Sequence, residues 1–290
     1  MITHIRILCL FGLGIFPLAA FCADDVLVHC RFVPERADDF AWENDLIAFR
    51  AYGPTLKDSG EDSGFDAWLK RVEYPIIDKW YAGNAAGKSY HTDHGEGYDP
   101  YKVGSSRGCG GLGLWIDGQL VTSNVFDEWE ILKLEGDEAV FVLSYQWEHG
   151  GHAYKERKEI SIESGKRLFR SRSTFTKDGE LAAGLPIAIG LVRHHDDDLV
   201  AHDLDEGWMS IWETIDGSGL GTGVVIHPGA VDEFVFLESD EPLGDHALLI
   251  AKTDDQGILE YHAGYGWERA GAITDPREWN AYLSGFSAGQ

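Results

Sequence analysis

The sequence predicts a large antiparallel β-sandwich with a few helices. Three observations point there: β-branched and aromatic runs recur along the chain, glycine-containing turn signals separate them, and helical patterns are confined to two stretches. The 290 residues are 44% hydrophobic and carry 35 Gly against 9 Pro, enough to bury a sizeable core and too apolar for a disordered chain. No internal repeat and no Pro- or Ser-rich linker interrupts residues 24–290, which therefore read as one domain.

Residues 1–23 read as an export signal. MITHIR carries one positive charge, ILCLFGLGIFPLAAF is an apolar run of 15 residues, and small residues surround positions 19–23. That run is shorter than the roughly 20 residues of a membrane span, and Asp24 and Asp25 follow at once. A lipoprotein anchor at Cys22 is disfavoured because bulky Phe21 stands where a small residue belongs. The expected location is periplasmic or extracellular, with no stable membrane span once the signal is removed. Cys30 and Cys109 then remain, either joined as a disulfide or held as two buried thiols.

The strands follow in order. VLVHCRFV (26–33) and DLIAFRAYG (45–53) are bounded by Pro, Asp or Gly. GLGLWIDGQLV (111–121) contains Asp117-Gly118, a two-residue hairpin signal because Gly accepts the positive φ of a type I′ turn. Residues 128–148 turn at Gly136-Asp137 and residues 158–176 turn at Ser164-Gly165. Alternation puts Leu168, Arg170, Arg172 and Thr174 on one face and Phe169, Ser171, Ser173 and Phe175 on the other. Five more runs, from LPIAIGLV to ILEYHAGY, continue to residue 265. Residues 65–83 place Trp68, Val72, Ile76 and Trp80 at helical spacing, with Pro75 as a break or kink. PREWNAYLSGFSAG (276–289) begins with Pro at a first helical position after Thr274-Asp275.

The formal charge of -25 excludes a nucleic-acid binder by bulk electrostatics. The charge is uneven: 16 of the 24 basic residues lie within 70–193. A cationic pocket inside an acidic shell fits that distribution.

Three clusters carry chemistry. SYHTDHGEGYDPYKVGSSRGCGGLGLW (89–115) supplies His91, His94, Tyr98 and Tyr101 as acid/base candidates, with Lys102 and Arg107 to neutralise an anion. His91, Asp93, His94 and Glu96 offer an alternative divalent-metal set, which the pattern permits without requiring. QWEHGGHAYKER supplies Trp147, able to stack on a sugar ring, with His149 and His152 as hydrogen-bonding groups. LPIAIGLVRHHDDD (185–198) ends in Arg193, His194 and His195, and strand alternation sends Arg193 and His195 to one face. Arg193 there suits a carboxylate, which a guanidinium grips through two parallel bonds.

The runs FVPERADDFAWENDLIAFRAYGP, WLKRVEYPIIDKWYAGN, GKSYHTDHGEGYDPYKVGSSRGCGGLGLWIDG and LPIAIGLVRHHDD resemble an exported bacterial domain family of unassigned function. The resemblance covers nearly all of residues 24–290. It implies a galactose-mutarotase-like β-supersandwich and the company of pectin- and uronate-degrading enzymes, hence an acidic carbohydrate as partner. The active-site segments usual in aldose mutarotases are absent, so no catalytic residue is carried over. The leading expectation is a carbohydrate-active enzyme performing β-elimination on a uronate-containing glycan. His91, His94 or His195 would be the base and Tyr98 or Tyr101 the acid. Arg107, Lys102, Arg193 and His194 would hold the anion, and Trp147, His149 and His152 the sugar. Mutarotation or epimerisation, hydrolysis by a carboxylate pair from Asp93, Glu96, Asp99 and Glu148, and a non-catalytic glycan-binding module stand beside it. The full constellation requires the three clusters to converge on one concave site.

Overall fold

The computed structural model describes residues 27–287 and 289. The expected export signal, with Cys9 and Cys22, lies outside the described residues. The chain opens with β1 (His29–Val33), β2 (Asp39–Glu43), β3 (Ala48–Ala51) and β4 (Phe65–Lys70). Helix α1 (Ile77–Ala85) and the short β5 (Gly97–Tyr98) follow, and the five strands form one sheet in sequence order.

Next come β6 (Cys109–Ile116), β7 (Gln119–Val121), β8 (Glu128–Glu135), β9 (Glu138–His149), β10 (His152–Glu163) and β11 (Leu168–Lys177). The chain continues through β12 (Glu180–Leu181), β13 (Pro186–Val192), β14 (Leu199–Asp203), β15 (Trp208–Ile215) and β16 (Ser218–Ile226). It ends with β17 (Val231–Leu237), β18 (His246–Lys252), β19 (Ile258–Trp267) and α2 (Pro276–Ser287). A nine-stranded sheet runs β14-β15-β16-β19-β11-β10-β9-β8 with β12 on β11, and a third sheet runs β17-β18-β13-β6-β7. The paired strands are antiparallel throughout, as the sequence predicts.

The hairpins follow from turn chemistry. Asp117 and Gly118 both take positive φ, 52° and 74°, and Asp216-Gly217 repeats the device at 48° and 73°. On β11 the predicted alternation holds from Phe169 to Phe175: Phe169, Ser171, Ser173 and Phe175 are buried and Arg170, Arg172 and Thr174 more exposed, while Leu168 on the second face is buried too, against Trp279 and Leu283 of α2. The main core joins all three sheets: Trp42 and Phe49 of the first lie edge-on to Phe169 of the second at 5.7 and 5.0 Å, and the third adds aliphatic residues such as Leu112, Ile189 and Leu249.

Residues 65–70 depart from the helical expectation. Phe65, Ala67, Trp68 and Leu69 are all buried in strand β4, paired to β3. A strand inside a sheet needs no alternation when both faces are covered, and burial overrides the four-residue spacing. The helix begins only after Pro75. Its start is fixed by Glu43 of β2, whose carboxylate accepts from the backbone N–H groups of Ile76 and Ile77 at 2.8 and 2.9 Å. Trp68, Ile76 and Trp80 still meet in one cluster, so the apolar spacing marks a shared core rather than a shared helix. Helix α2 starts where Pro276 predicts: Asp275 accepts from the N–H groups of Arg277 and Glu278, and Glu278 reaches back to the N–H of Thr274 at 2.7 Å.

Cys30 and Cys109 are both buried free thiols, which resolves the pairing question. Burial pushes the Cys30 thiol up to about 12 and that of Cys109 higher still.

Candidate functional site

A cleft of about 420 Å³ opens where the loop before β6, the end of β13 and the β15–β16 hairpin meet. Its working groups are His91, Tyr98, Lys102, His194, His195 and Glu213. The volume lies within the range of small-molecule sites.

Asp198 shapes the loop after β13 and presents its histidines. One carboxylate oxygen accepts from the backbone N–H groups of His194 and His195, at 3.0 and 2.9 Å, turning the chain so that both residues line the cleft. His194 is then locked: Nδ1 lies 2.6 Å from Glu213 Oε2 and Nε2 lies 2.7 Å from the Lys102 carbonyl oxygen. An ionised carboxylate and a carbonyl can only accept, so both ring nitrogens donate and the ring is an imidazolium. Burial opposes that charge, yet the Glu213 hydrogen bond and negative charge, helped by the Lys102 carbonyl, hold the His194 pKa above the ordinary histidine value. Glu213 is itself buried, and its Oε1 has no hydrogen-bond partner among the described residues.

His91 differs in kind. Its Nδ1 donates to the Asp99 carbonyl oxygen at 3.0 Å, which in the neutral ring leaves the lone pair on Nε2. The side chain is 60% exposed, so that lone pair is open to a ligand. Beneath it, Arg50 binds Asp66 and Asp99 and lies 3.8 Å from Asp39, a buried ionic frame. Burial, then the Asp66 charge, raise the Asp99 carboxyl well above the usual carboxylate range.

Tyr98 donates to Asp216 Oδ2 at 2.8 Å, and burial together with that bond pushes its hydroxyl up to about 12. Asp216 is pinned by its turn and by Arg269, which donates to its carbonyl oxygen at 2.6 Å. Lys102 is exposed at the rim and has no ion-pair partner among the described residues.

Thus five sequence candidates, His91, Tyr98, Lys102, His194 and His195, share one cleft. The others do not. Arg107 is fully buried, bound to Asp62, to Ser63 at 2.9 Å and to the Leu112 carbonyl at 2.8 Å, so it braces the core and cannot reach a ligand. Tyr101 is buried edge-on beneath His194 at 5.0 Å, a packing surface rather than an acid. Arg193 lies between Asp245 and Asp196 and over the Phe236 ring; β13 ends at Val192, so strand alternation no longer governs it. His94 bonds the Ser89 carbonyl at 3.1 Å and lines a separate shallow recess.

The metal alternative also fails on geometry. Asp93 is gripped by Arg71 at 2.8 and 2.9 Å, and Glu96 is held by Tyr74, Lys79 and Trp80. Among the described residues no group of three or more His, Cys, Asp or Glu is placed to hold a metal ion.

The second cluster sits elsewhere, so the expected meeting of all three clusters is not met: only the first and third share the cleft, and Trp147 is lost to it as a stacking surface. His149 and His152 line a groove with Trp115, while Trp147 packs inward, stacked on Tyr154 at 5.8 Å. A further concavity of about 450 Å³ on strands β9 to β11 carries Lys155 and Arg157 but no histidine. Sequence reasoning missed Glu213 and Asp216, although the Asp216-Gly217 hairpin signal was available to find them.

Residues 21–290 match the model of the domain of unknown function DUF4861, and the chain belongs to that family. A Formosa agariphila protein described as uncharacterized protein P7 is 35% identical over 277 residues, covering 91% of this chain and 68% of that protein. Among solved structures, the GH36 alpha-galactosidase AgaB of Geobacillus stearothermophilus aligns at TM-score 0.42 and 10% identity over 82% of this chain. This chain spans 41% of that galactosidase. A putative aldose 1-epimerase of Klebsiella pneumoniae aligns at TM-score 0.41 and 8% identity, over 90% of this chain and 87% of its own length. At those scores neither likeness carries an inference about activity. No described helix is long and apolar enough to cross a membrane.

Proposed function

We propose that this DUF4861 member is an exported carbohydrate-active enzyme whose cleft performs acid/base β-elimination on a uronate-containing oligosaccharide. One observation carries the reading: a histidine with an open lone pair, His91, and a histidine held as a cation, His194, line the same cleft. Histidines so differently hydrogen-bonded divide the roles of base and fixed charge.

In this mechanism Lys102 neutralises the uronate carboxylate, which makes the adjacent C–H acidic, while the His194–Glu213 ion pair fixes the Lys102 backbone through the bond to its carbonyl. His91 Nε2 takes that proton. The C–H electron pair becomes the new C=C bond, the glycosidic C–O bond breaks, and Tyr98 protonates the departing oxygen. Asp216 orients the Tyr98 hydroxyl for this step. His195 lends a further hydrogen-bonding group at the rim.

The test is incubation with polygalacturonate, alginate and glucuronan, following absorbance of the unsaturated uronate. Growth of that band, abolished in His91→Ala, is expected; its absence on all three substrates, with and without divalent ions, overturns the lyase reading. The open His91 Nε2 and the Tyr98 hydroxyl in one cleft also fit a second reading, proton exchange at an anomeric centre. Proton NMR of free uronic acids would then reveal accelerated interconversion without cleavage.

A further inference from the structure

We propose that Leu243 is a binding residue of the cleft, an apolar wall held in a strained turn so that it packs against the C–H face of a sugar ring. This inference rests on the carbohydrate reading above and names how the same cleft grips the ring.

Leu243 sits in the loop between β17 and β18, at the third position of the turn Glu241-Pro242-Leu243-Gly244, which closes with the Gly244 N–H donating to the Glu241 carbonyl oxygen at 2.9 Å. Its φ is 60°. Pro at the second position and positive φ at the third make a type II turn, whose third position takes Gly or Asn by preference. A leucine there crowds its Cβ against a backbone carbonyl oxygen. Seven described residues other than glycine take positive φ; five are Asp and one is Ala, so Leu243 is the one large apolar side chain among them. Aspartate offsets the strain with local hydrogen bonds, which leucine cannot make.

The strain persists because bonds on both sides over-determine the loop. Asp245 Oδ1 accepts from the Ser239 N–H at 2.8 Å, and Ser239 Oγ accepts from the Glu241 N–H at 3.1 Å. The Asp245 carbonyl oxygen accepts from the Arg193 N–H at 2.9 Å, and His246 Nδ1 donates to the Gly244 carbonyl oxygen at 2.6 Å. The Arg193 backbone thus ties the loop to the strand end that presents His194 and His195.

What the strain secures is a place in the cleft. Leu243 lines it together with Pro100 and Ile215, three apolar groups beside the acid/base set. Its Cδ1 lies over Gly104, where a β-carbon would stand 3.2 Å away. Half-buried, the side chain rests on the main core and leaves the rest of its surface to the cleft. A sugar ring is amphipathic, with hydroxyls and carboxylate at its edge and C–H bonds on its faces. The polar groups meet the edge and the leucine meets a face, where apolar area leaves water.

The experiment compares Leu243→Asn, Leu243→Gly and Leu243→Met in the full protein, by thermal melts and by calorimetric titration with oligogalacturonate, oligoalginate and oligoglucuronate. Titrations use the His91→Ala background, so that turnover does not consume the ligand. Asn and Gly relieve the turn, so their melting midpoints should rise or fall by less than about 4 °C. Their affinity for an oligosaccharide that binds should drop about tenfold. Met keeps the apolar wall and should keep most of the affinity. Unchanged affinity in the Asn and Gly variants overturns the proposal, as does the absence of binding to all three oligosaccharides. A larger fall in the midpoint also overturns it, because the leucine then serves core packing. Leu243-dependent binding in a protein whose wild type forms no unsaturated product supports the wall while sinking β-elimination; turnover with binding that ignores Leu243 does the reverse.

Discussion

His194 bonds Glu213 at 2.6 Å on one side and the Lys102 carbonyl at 2.7 Å on the other, two acceptors bracketing one imidazole. A buried histidine so placed forms a fixed ion pair with Glu213 at the floor of the cleft. Its pKa is raised, so the pair's contribution to stability is complete below about pH 6.5, the unfolded-state value, and is lost as pH rises through the higher folded value. Glu213→Gln should destabilise the protein by about 2–4 kcal/mol at acidic pH. Urea unfolding at several pH values should show this difference shrinking toward alkaline pH. A difference that stays constant with pH would mean that His194 is neutral.

His91→Ala should cost little stability, within about 0.5 kcal/mol, because the side chain is largely exposed. Loss of a positioned base should lower turnover by about 10²–10⁴-fold. Comparing melting curves with initial rates separates the two effects; a proportional fall in both would demote His91 to a structural role.

Tyr98→Phe removes the donor to Asp216 and should reduce turnover with little change in KM. Because the Tyr98 hydroxyl is pushed up to about 12, its ionisation cannot limit activity below pH 10. An alkaline limb near pH 9 that vanishes in Tyr98→Phe would contradict that assignment.

Arg107 and Lys102 should part company. Arg107→Met breaks a buried pair with Asp62 and should destabilise the fold by about 3–5 kcal/mol, read by chemical denaturation. Lys102→Gln should leave the denaturation midpoint unchanged and raise KM for an acidic oligosaccharide, with weaker salt dependence of kcat/KM. A stable Arg107→Met variant with impaired substrate binding would reverse the two roles.

Much of this was legible locally. The Asp117-Gly118 hairpin, the two faces of β11 and the Pro276 helix start each depend on residues within one turn or one strand. So does the density of acid/base groups in residues 89–107. Arg193 and Arg107 were misread for one reason: a cation near histidines in sequence has no stated depth. Depth comes from neighbours such as Asp245 and Asp62, far away along the chain.

By itself, then, the sequence determined the antiparallel β architecture, the turns and the loops bearing histidines, because backbone periodicity and glycine stereochemistry act over a few residues. Tertiary structure alone decided which loops share a site. Sheet order carries the β9–β10 tip to the Pro186 end of β13 and the β15–β16 tip to the Val192 end, bringing Glu213 to His194 and separating His149 from His91. That choice is made by burial of the whole core, which no short stretch of residues encodes.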